Sequence, residues 1–196
     1  MNFRFLTPSY SVFYAAISIL GLSAVLLLLN SQSAHSEATA KVEWMSIEEA
    51  FEKVANNPNN QKKILVDLYT DWCGWCKRMD ANTFGNQMVA KYLNDNYYCV
   101  KLDAEQQKAI TLGGQTFKNP GTGSRSTHEL AAKIGSVNGR MSYPTIAFLD
   151  EKFQLIQAIP GYRGPSEMMP ILTYLAEDHY KNTEWESYYE QWQEAH

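Results

Sequence analysis

The sequence predicts an α/β domain, a central mixed β-sheet flanked by helices, with an N-terminal signal or anchor helix ahead of it. Three observations carry this. Ile64–Tyr69 and Tyr97–Leu102 are short runs of strand formers, and the helical stripe between them makes a βαβ unit that crosses over right-handed into a parallel pair. Ile146–Leu149 and Leu155–Ile159 are joined by a turn at Asp150-Glu151-Lys152, too short a connection for anything but antiparallel strands. Ser46/Glu49, Ser126/Glu129 and Thr183/Glu186 each set a hydroxyl three residues before a Glu, the capping-box signature of a helix start.

Residues 1–40 stand apart from the fold. Arg4 is the only charged side chain before an apolar stretch from Val12 to Leu29, interrupted by Ser18, Gly21 and Ser23. A positive start followed by an apolar core is an export signal. Its length suits both a long cleaved signal and a barely spanning anchor. Ala34-His35-Ser36 and Ala38-Thr39-Ala40 offer small-x-small cleavage sites, so both outcomes stay open. The rest is thereby placed outside the cytosol, where disulfides form and persist. Membrane contact is expected only through residues 12–29, if they are retained.

From Ser46 a short amphipathic helix follows, with Ile47, Ala50, Phe51 and Val54 on one face, ending in the polar turn Asn56–Asn60. The apolar strand Ile64–Tyr69 then runs into Cys73-Gly74-Trp75-Cys76 and a basic, helix-compatible continuation. Two cysteines three apart at a helix start share one face of its first turn, with Cα atoms roughly 5–6 Å apart, within reach of a disulfide. The unsatisfied N–H groups and the dipole of that helix end favour a thiolate. The helix breaks near Asn82–Asn86, and Met88, Val89, Tyr92 and Leu93 continue a stripe to about Asn94, before the strand Tyr97–Leu102.

Residues 104–126 read as a brief helical turn, Glu105 to Ile110, leading into a long glycine-rich loop; such loops are functional or disordered. The Ser126 box opens a helix with Leu130, Ala131 and Ile134 inward and Gly135 as its C-cap. Tyr143-Pro144-Thr145 precedes the next strand, and Pro160–Pro165 breaks the chain before a final helix at about Ser166–His179. In the tail 181–196, Trp185, Tyr188, Tyr189 and Trp192 fall on one helical face. That face either packs back on the domain or docks a partner.

The chain of 196 residues fits one domain with surplus at both ends, and 45% apolar content supports one core. A net charge of −4 gives no reason to expect nucleic acid as a partner. Three cysteines are too sparse for a disulfide scaffold, so the 73/76 pair needs chemistry or a metal to explain it. Zinc would require two more ligands, and neither Cys99 nor the four histidines offers the spacing. Cys99 reads as a core thiol, and His128 as a surface residue of a helix's first turn.

In this order the body, residues 41–180, resembles the thioredoxin family. The run ILVDLYTDWCGWCK is similar to that family's signature ILVDFWAEWCGPCK, including Trp72 before the first cysteine. Val100–Asp103 resembles its next strand, with Lys101 as the basic residue. Tyr143-Pro144-Thr145 is similar to the segment whose proline is cis, and Pro160-Gly161-Tyr162 matches the glycine before the last helix. Trp75 replaces the family's proline, Tyr69 stands for its aromatic after the buried Asp, and the loop before Ser126 is longer.

The resemblance implies a thioredoxin-like fold and a thiol–disulfide oxidoreductase with no cofactor and no metal. Cys73 would be the nucleophile and Cys76 the resolving thiol. Asp67, buried beneath Cys76 and close to Lys101, would take its proton. Trp72, Gly74, Trp75, Tyr143, Pro144 and Thr145 would line the substrate site, with Trp72 shielding the sulfurs and Trp75 exposed. The partners implied are disulfide-containing protein substrates and an upstream thiol–disulfide electron donor, in the periplasm, soluble or tethered to the inner membrane. Asp67 and Lys101 lean the direction toward reduction, and Trp75 weakens that lean. A non-catalytic binding or chaperone module and a soft-metal carrier are the competing readings.

Overall fold

The strand β2 (Lys63–Tyr69) is buried at every residue from Lys63 to Leu68, as only a strand covered on both faces can be. It pairs in parallel with β3 (Tyr97–Asp103), Lys63 opposite Tyr97 and Asp67 opposite Lys101. On its other side it pairs antiparallel with β6 (Thr145–Leu149), Leu68 opposite Thr145. A two-residue β1 (Trp44–Met45) joins β3 in parallel and β7 (Leu155–Pro160) joins β6 antiparallel, giving the order β1-β3-β2-β6-β7. The computed structural model describes residues 40–57, 59 and 62–195. The export segment, most of its cleavage motifs and part of the turn after Asn57 lie outside the described residues.

The pleat sends alternate side chains to opposite faces. Ile64, Val66 and Leu68 pack with Val100 and Leu102 under α1 (Ile47–Ala55) and α4 (Glu129–Gly135). Leu65, Cys99, Ile146 and Phe148 pack on the other face against α2 (Gly74–Met79), α3 (Gln87–Asn96) and α5 (Pro165–Ala176). Asp67 has the parity of Leu65, so it points to the face covered by α2 and α3.

The capping box at α1 is complete: Glu49 N donates to Ser46 Oγ at 3.1 Å and Ser46 N to Glu49 Oε2 at 2.7 Å. The break after the CxxC helix has a clear cause. A π-helical segment, Asp80–Phe84, ends at Gly85, where a Cβ would collide with the Ala81 carbonyl oxygen. The Asn86 side chain then accepts from Met88 N and Val89 N and starts α3.

Four local expectations are corrected. The segment 104–126 holds no helical turn; β4 (Ile110–Leu112) and β5 (Gln115–Phe117) form a hairpin about Gly113 and Gly114, at φ +56° and +83°. Two glycines between short apolar runs are the signature of that turn. The Ser126/Glu129 box does not form, because Ser126 Oγ bonds Gly123 O and Glu129 Oε2 accepts from Lys118 N. His128 caps α4 instead, its Nδ1 accepting from Leu130 N, and it is fully buried rather than on the surface. The C-cap is Ser136, and Gly135 is the last helical residue, pressed against Leu68 and Met141. The pair Trp44–Met45, too short to show a period, joins the sheet unannounced.

The tail forms α6 (Trp185–Ala195), which lies on α5. Tyr188 OH donates to Thr173 Oγ1 at 2.9 Å, and the Tyr174 ring meets those of Trp185 and Tyr188 at 5.2 and 4.9 Å. Among the described residues no helix is long and apolar enough to cross a membrane. Because Tyr188 is buried and hydrogen-bonded, Tyr188→Ala should destabilise the domain by about 2–4 kcal/mol. Urea denaturation checks this, and a cost near zero would mean that the tail is not part of the folding unit.

Candidate active site

Cys73 is the N-cap of α2. Its backbone is extended, and its Sγ accepts from Cys76 N at 3.0 Å, doing for the helix start what a Ser or Asp side chain ordinarily does. Cys73 and Cys76 are joined in a disulfide with Cα atoms 5.3 Å apart. Both are nearly buried, 5% and 3% exposed, with Cys73 slightly the more open. Neighbouring them, Trp72 and Trp75 are 52% and 55% exposed. Gly74 opens α2 with nothing within 4 Å of where a Cβ would stand, so no contact requires a glycine there.

Asp67 is 1% exposed, and its Oδ1 has no hydrogen-bond partner among the described residues. Its Oδ2 lies 3.6 Å from Lys101 Nζ. Lys101 makes its closer contact with Asp80, on the π-helical segment after α2, and its Nζ lies 5.3 Å and 5.2 Å from the Trp44 and Tyr69 ring centroids. Burial pushes the Asp67 carboxyl up to about 7; the Lys101 ammonium opposes this and the Asp80 charge adds to it. The Cys99 thiol is buried in β3 and pushed up to about 12, which leaves it unreactive at neutral pH.

The Tyr143–Pro144 bond is cis. Gly161 N donates to Pro144 O at 2.8 Å, which ties this segment to the residue after β7, and Thr145 Oγ1 donates to Ser142 O at 2.7 Å within it. The Tyr143 ring meets the Trp72 ring edge-on at 6.0 Å, so the cis-proline segment borders the CxxC motif. The structure thus groups Trp72, Cys73, Gly74, Trp75, Cys76, Tyr143, Pro144 and Thr145 at one end of the sheet, with Asp67 and Lys101 below on the face covered by α2.

Trp72 does not simply fold over the sulfurs. Its Nε1 donates to Glu105 Oε2 at 2.9 Å, and the Arg125 guanidinium stands 5.0 Å from its ring centroid. Both come from the 104–126 segment, which Asn119 staples through bonds to the carbonyls of Glu105, Gln106 and Ser126. Trp75 packs on Tyr162 at 5.6 Å and carries Arg78 at 5.2 Å. Sequence reading missed Glu105, Arg125 and Tyr162, which sit far from the motif along the chain and carry no local signal. It also missed Asp80, whose place four residues after Cys76 on the same helical face was a usable signal.

A family model described as "Protein of unknown function, DUF255" (Thioredox_DsbH) matches residues 25–119. An uncharacterized protein of Archaeoglobus fulgidus is 30% identical over 95 residues, 48% of this chain and 68% of that protein. The chain belongs to the thioredoxin-like family. A thiol:disulfide interchange protein DsbD of Vibrio vulnificus is 26% identical over 80 residues, 41% of this chain and 13% of that protein. The chain spans between 8% and 14% of the length of the longer curated relatives that it matches. A solved structure titled "DsbH Oxidoreductase" superposes with a TM-score of 0.51 at 18% identity, covering 76% of this chain and 93% of the other, and shares the fold.

Since the folded-state pKa of Asp67 is raised above its ordinary value of 3.8 to about 7, the folded protein holds the extra proton between those limits. The stability this contributes is full below about pH 4 and is lost as the pH rises through 7. Asp67→Asn should therefore stabilise the protein by about 2–4 kcal/mol at pH 8 and by much less at pH 4. Thermal unfolding of the oxidised protein at the two pH values checks this, and a gain that did not vary with pH would remove the buried-carboxylate account.

Proposed function

We propose that this chain is an exported thiol–disulfide oxidoreductase that reduces protein disulfides through a Cys73/Cys76 cycle. The observation that carries the reading is the cysteine pair at the start of α2, within disulfide distance and above a buried, high-pKa carboxylate. Residues 41–180 form the catalytic domain, 181–196 its helical tail, and 1–40 the segment that exports or anchors it. The substrates are proteins carrying disulfides.

In the reduced enzyme the Cys73 thiolate, favoured by the free N–H groups of the helix start, attacks one sulfur of a substrate disulfide. That S–S bond breaks, a Cys73–substrate bond forms, and the departing substrate thiolate takes a proton from solvent. Asp67 accepts the Cys76 proton, and the Cys76 thiolate attacks Cys73 Sγ and releases the second substrate thiolate. The substrate has gained two electrons and the enzyme holds the 73–76 disulfide. An upstream dithiol donor returns those electrons by the same exchange in reverse. Tyr143, before Pro144, offers its backbone to the incoming chain as an added strand.

Cys76→Ser should accumulate mixed disulfides through Cys73, visible as higher-mass species that collapse on adding a thiol reductant, whereas Cys73→Ser should form none. A variant lacking Cys73 that kept all biological activity would favour a binding module instead. Direction is read from the reduction potential against glutathione. A value near that of thioredoxin, about −270 mV, supports reduction, and one above about −180 mV would make the protein an oxidant or isomerase. Asp67→Asn should slow resolution of the mixed disulfide, and unchanged turnover across neutral to alkaline pH would refute its role as proton acceptor.

A further inference from the structure

Trp72 and Trp75 are two of the few large apolar side chains left exposed among the described residues, Trp72 immediately before Cys73 and Trp75 between the two cysteines. Each carries a guanidinium on its ring face, Arg125 at 5.0 Å from the Trp72 centroid and Arg78 at 5.2 Å from that of Trp75. Each also has a tyrosine at its side, Tyr143 at 6.0 Å and Tyr162 at 5.6 Å. Two aromatic ledges, each topped by an arginine, therefore border the reactive sulfurs.

Neither Arg78 nor Arg125 is in an ion pair among the described residues. The carboxylate that touches Trp72 is engaged otherwise, since Glu105 Oε2 accepts the indole N–H at the ring edge while Arg125 lies over the face. A guanidinium stacked on an indole keeps its N–H fork free at the rim for a carboxylate. Stacking also fixes the side chain, so less rotamer entropy is lost on binding.

Resting on the oxidoreductase reading, we propose that the site selects disulfide substrates whose cysteine lies in an extended segment flanked by acidic side chains. The two indoles take the apolar parts of that segment, and Arg78 and Arg125 pair with its carboxylates on either side of the scissile sulfur. The Trp75 ledge, with Arg78 over its ring, contributes more than the Trp72 ledge, where Glu105, with Asp103 and Asp71 close to it, offsets part of the charge. This gives Trp75 and the 104–126 segment one purpose, a substrate filter built around the motif.

The test is the exchange rate of the reduced, full chain with three symmetric peptide disulfides, the cysteine flanked on both sides by Glu, Gln or Lys. The wild type should react about tenfold faster with the Glu than with the Lys peptide at low salt, with Gln between, and the gap should narrow as salt is raised. The double variant Arg78→Glu, Arg125→Glu should reverse the order, and Arg78→Gln alone should flatten it more than Arg125→Gln alone. Equal wild-type rates for the three peptides, or an unchanged order in the double variant, would overturn the selectivity and leave the oxidoreductase reading standing. If the wild type reduced none of the peptides, the oxidoreductase reading would fail and the selectivity with it.

Discussion

The pairing of β2 with β3 sets Asp67 beside Lys101 in the middle of the sheet, and the chemistry of the site depends on that placement. A carboxylate taken out of water is costly unless something holds its charge. Here the compensation is partial: Lys101 stands 3.6 Å away and is shared with Asp80, while Oδ1 has no partner among the described residues. The balance leaves the carboxyl pushed up to about 7, where it can hold or release a proton under ordinary conditions. A full pair with Lys101 would have left it ionised and inert as a base.

Lys101 is held from four sides, by two carboxylates and the rings of Trp44 and Tyr69. Two of those four lie outside β2 and β3. Trp44 arrives through the two-residue β1, and Asp80 through the π-helical segment that follows α2. Asp80 stands one regular helical turn after Cys76, its N–H still bonded to Cys76 O, at the point where the π-helical segment begins.

Above the sulfurs the arrangement is aromatic, with an arginine over each indole and Glu105 at the edge of Trp72. Trp72 is fixed by Glu105, Arg125 and Tyr143, and Trp75 by Tyr162 and Arg78. The 104–126 segment that read as a helical turn and a glycine-rich loop is instead a hairpin followed by a turn stapled through Asn119. It reaches the site through two side chains and makes Trp72 part of a wall.

The local pattern of residues determined most of the fold. The strand Ile64–Tyr69, the break after the CxxC helix, the parallel β2–β3 pair and the antiparallel β6–β7 pair all follow from short-range signals: strand composition, caps and connection length. The cysteine pair and its geometry were legible too, because three residues on a helix start fix a distance. Even the hairpin at Gly113-Gly114 was written locally, though read as loop. What the tertiary structure decided is everything set by contacts distant in sequence. His128 is buried because α4 docks on the sheet, and Lys101 is divided between Asp67 and Asp80. Glu105 and Arg125 meet Trp72 from 33 and 53 positions downstream. Spacing and periodicity act over a turn of helix or a pair of strands; a guanidinium on an indole depends on where the whole chain has brought them.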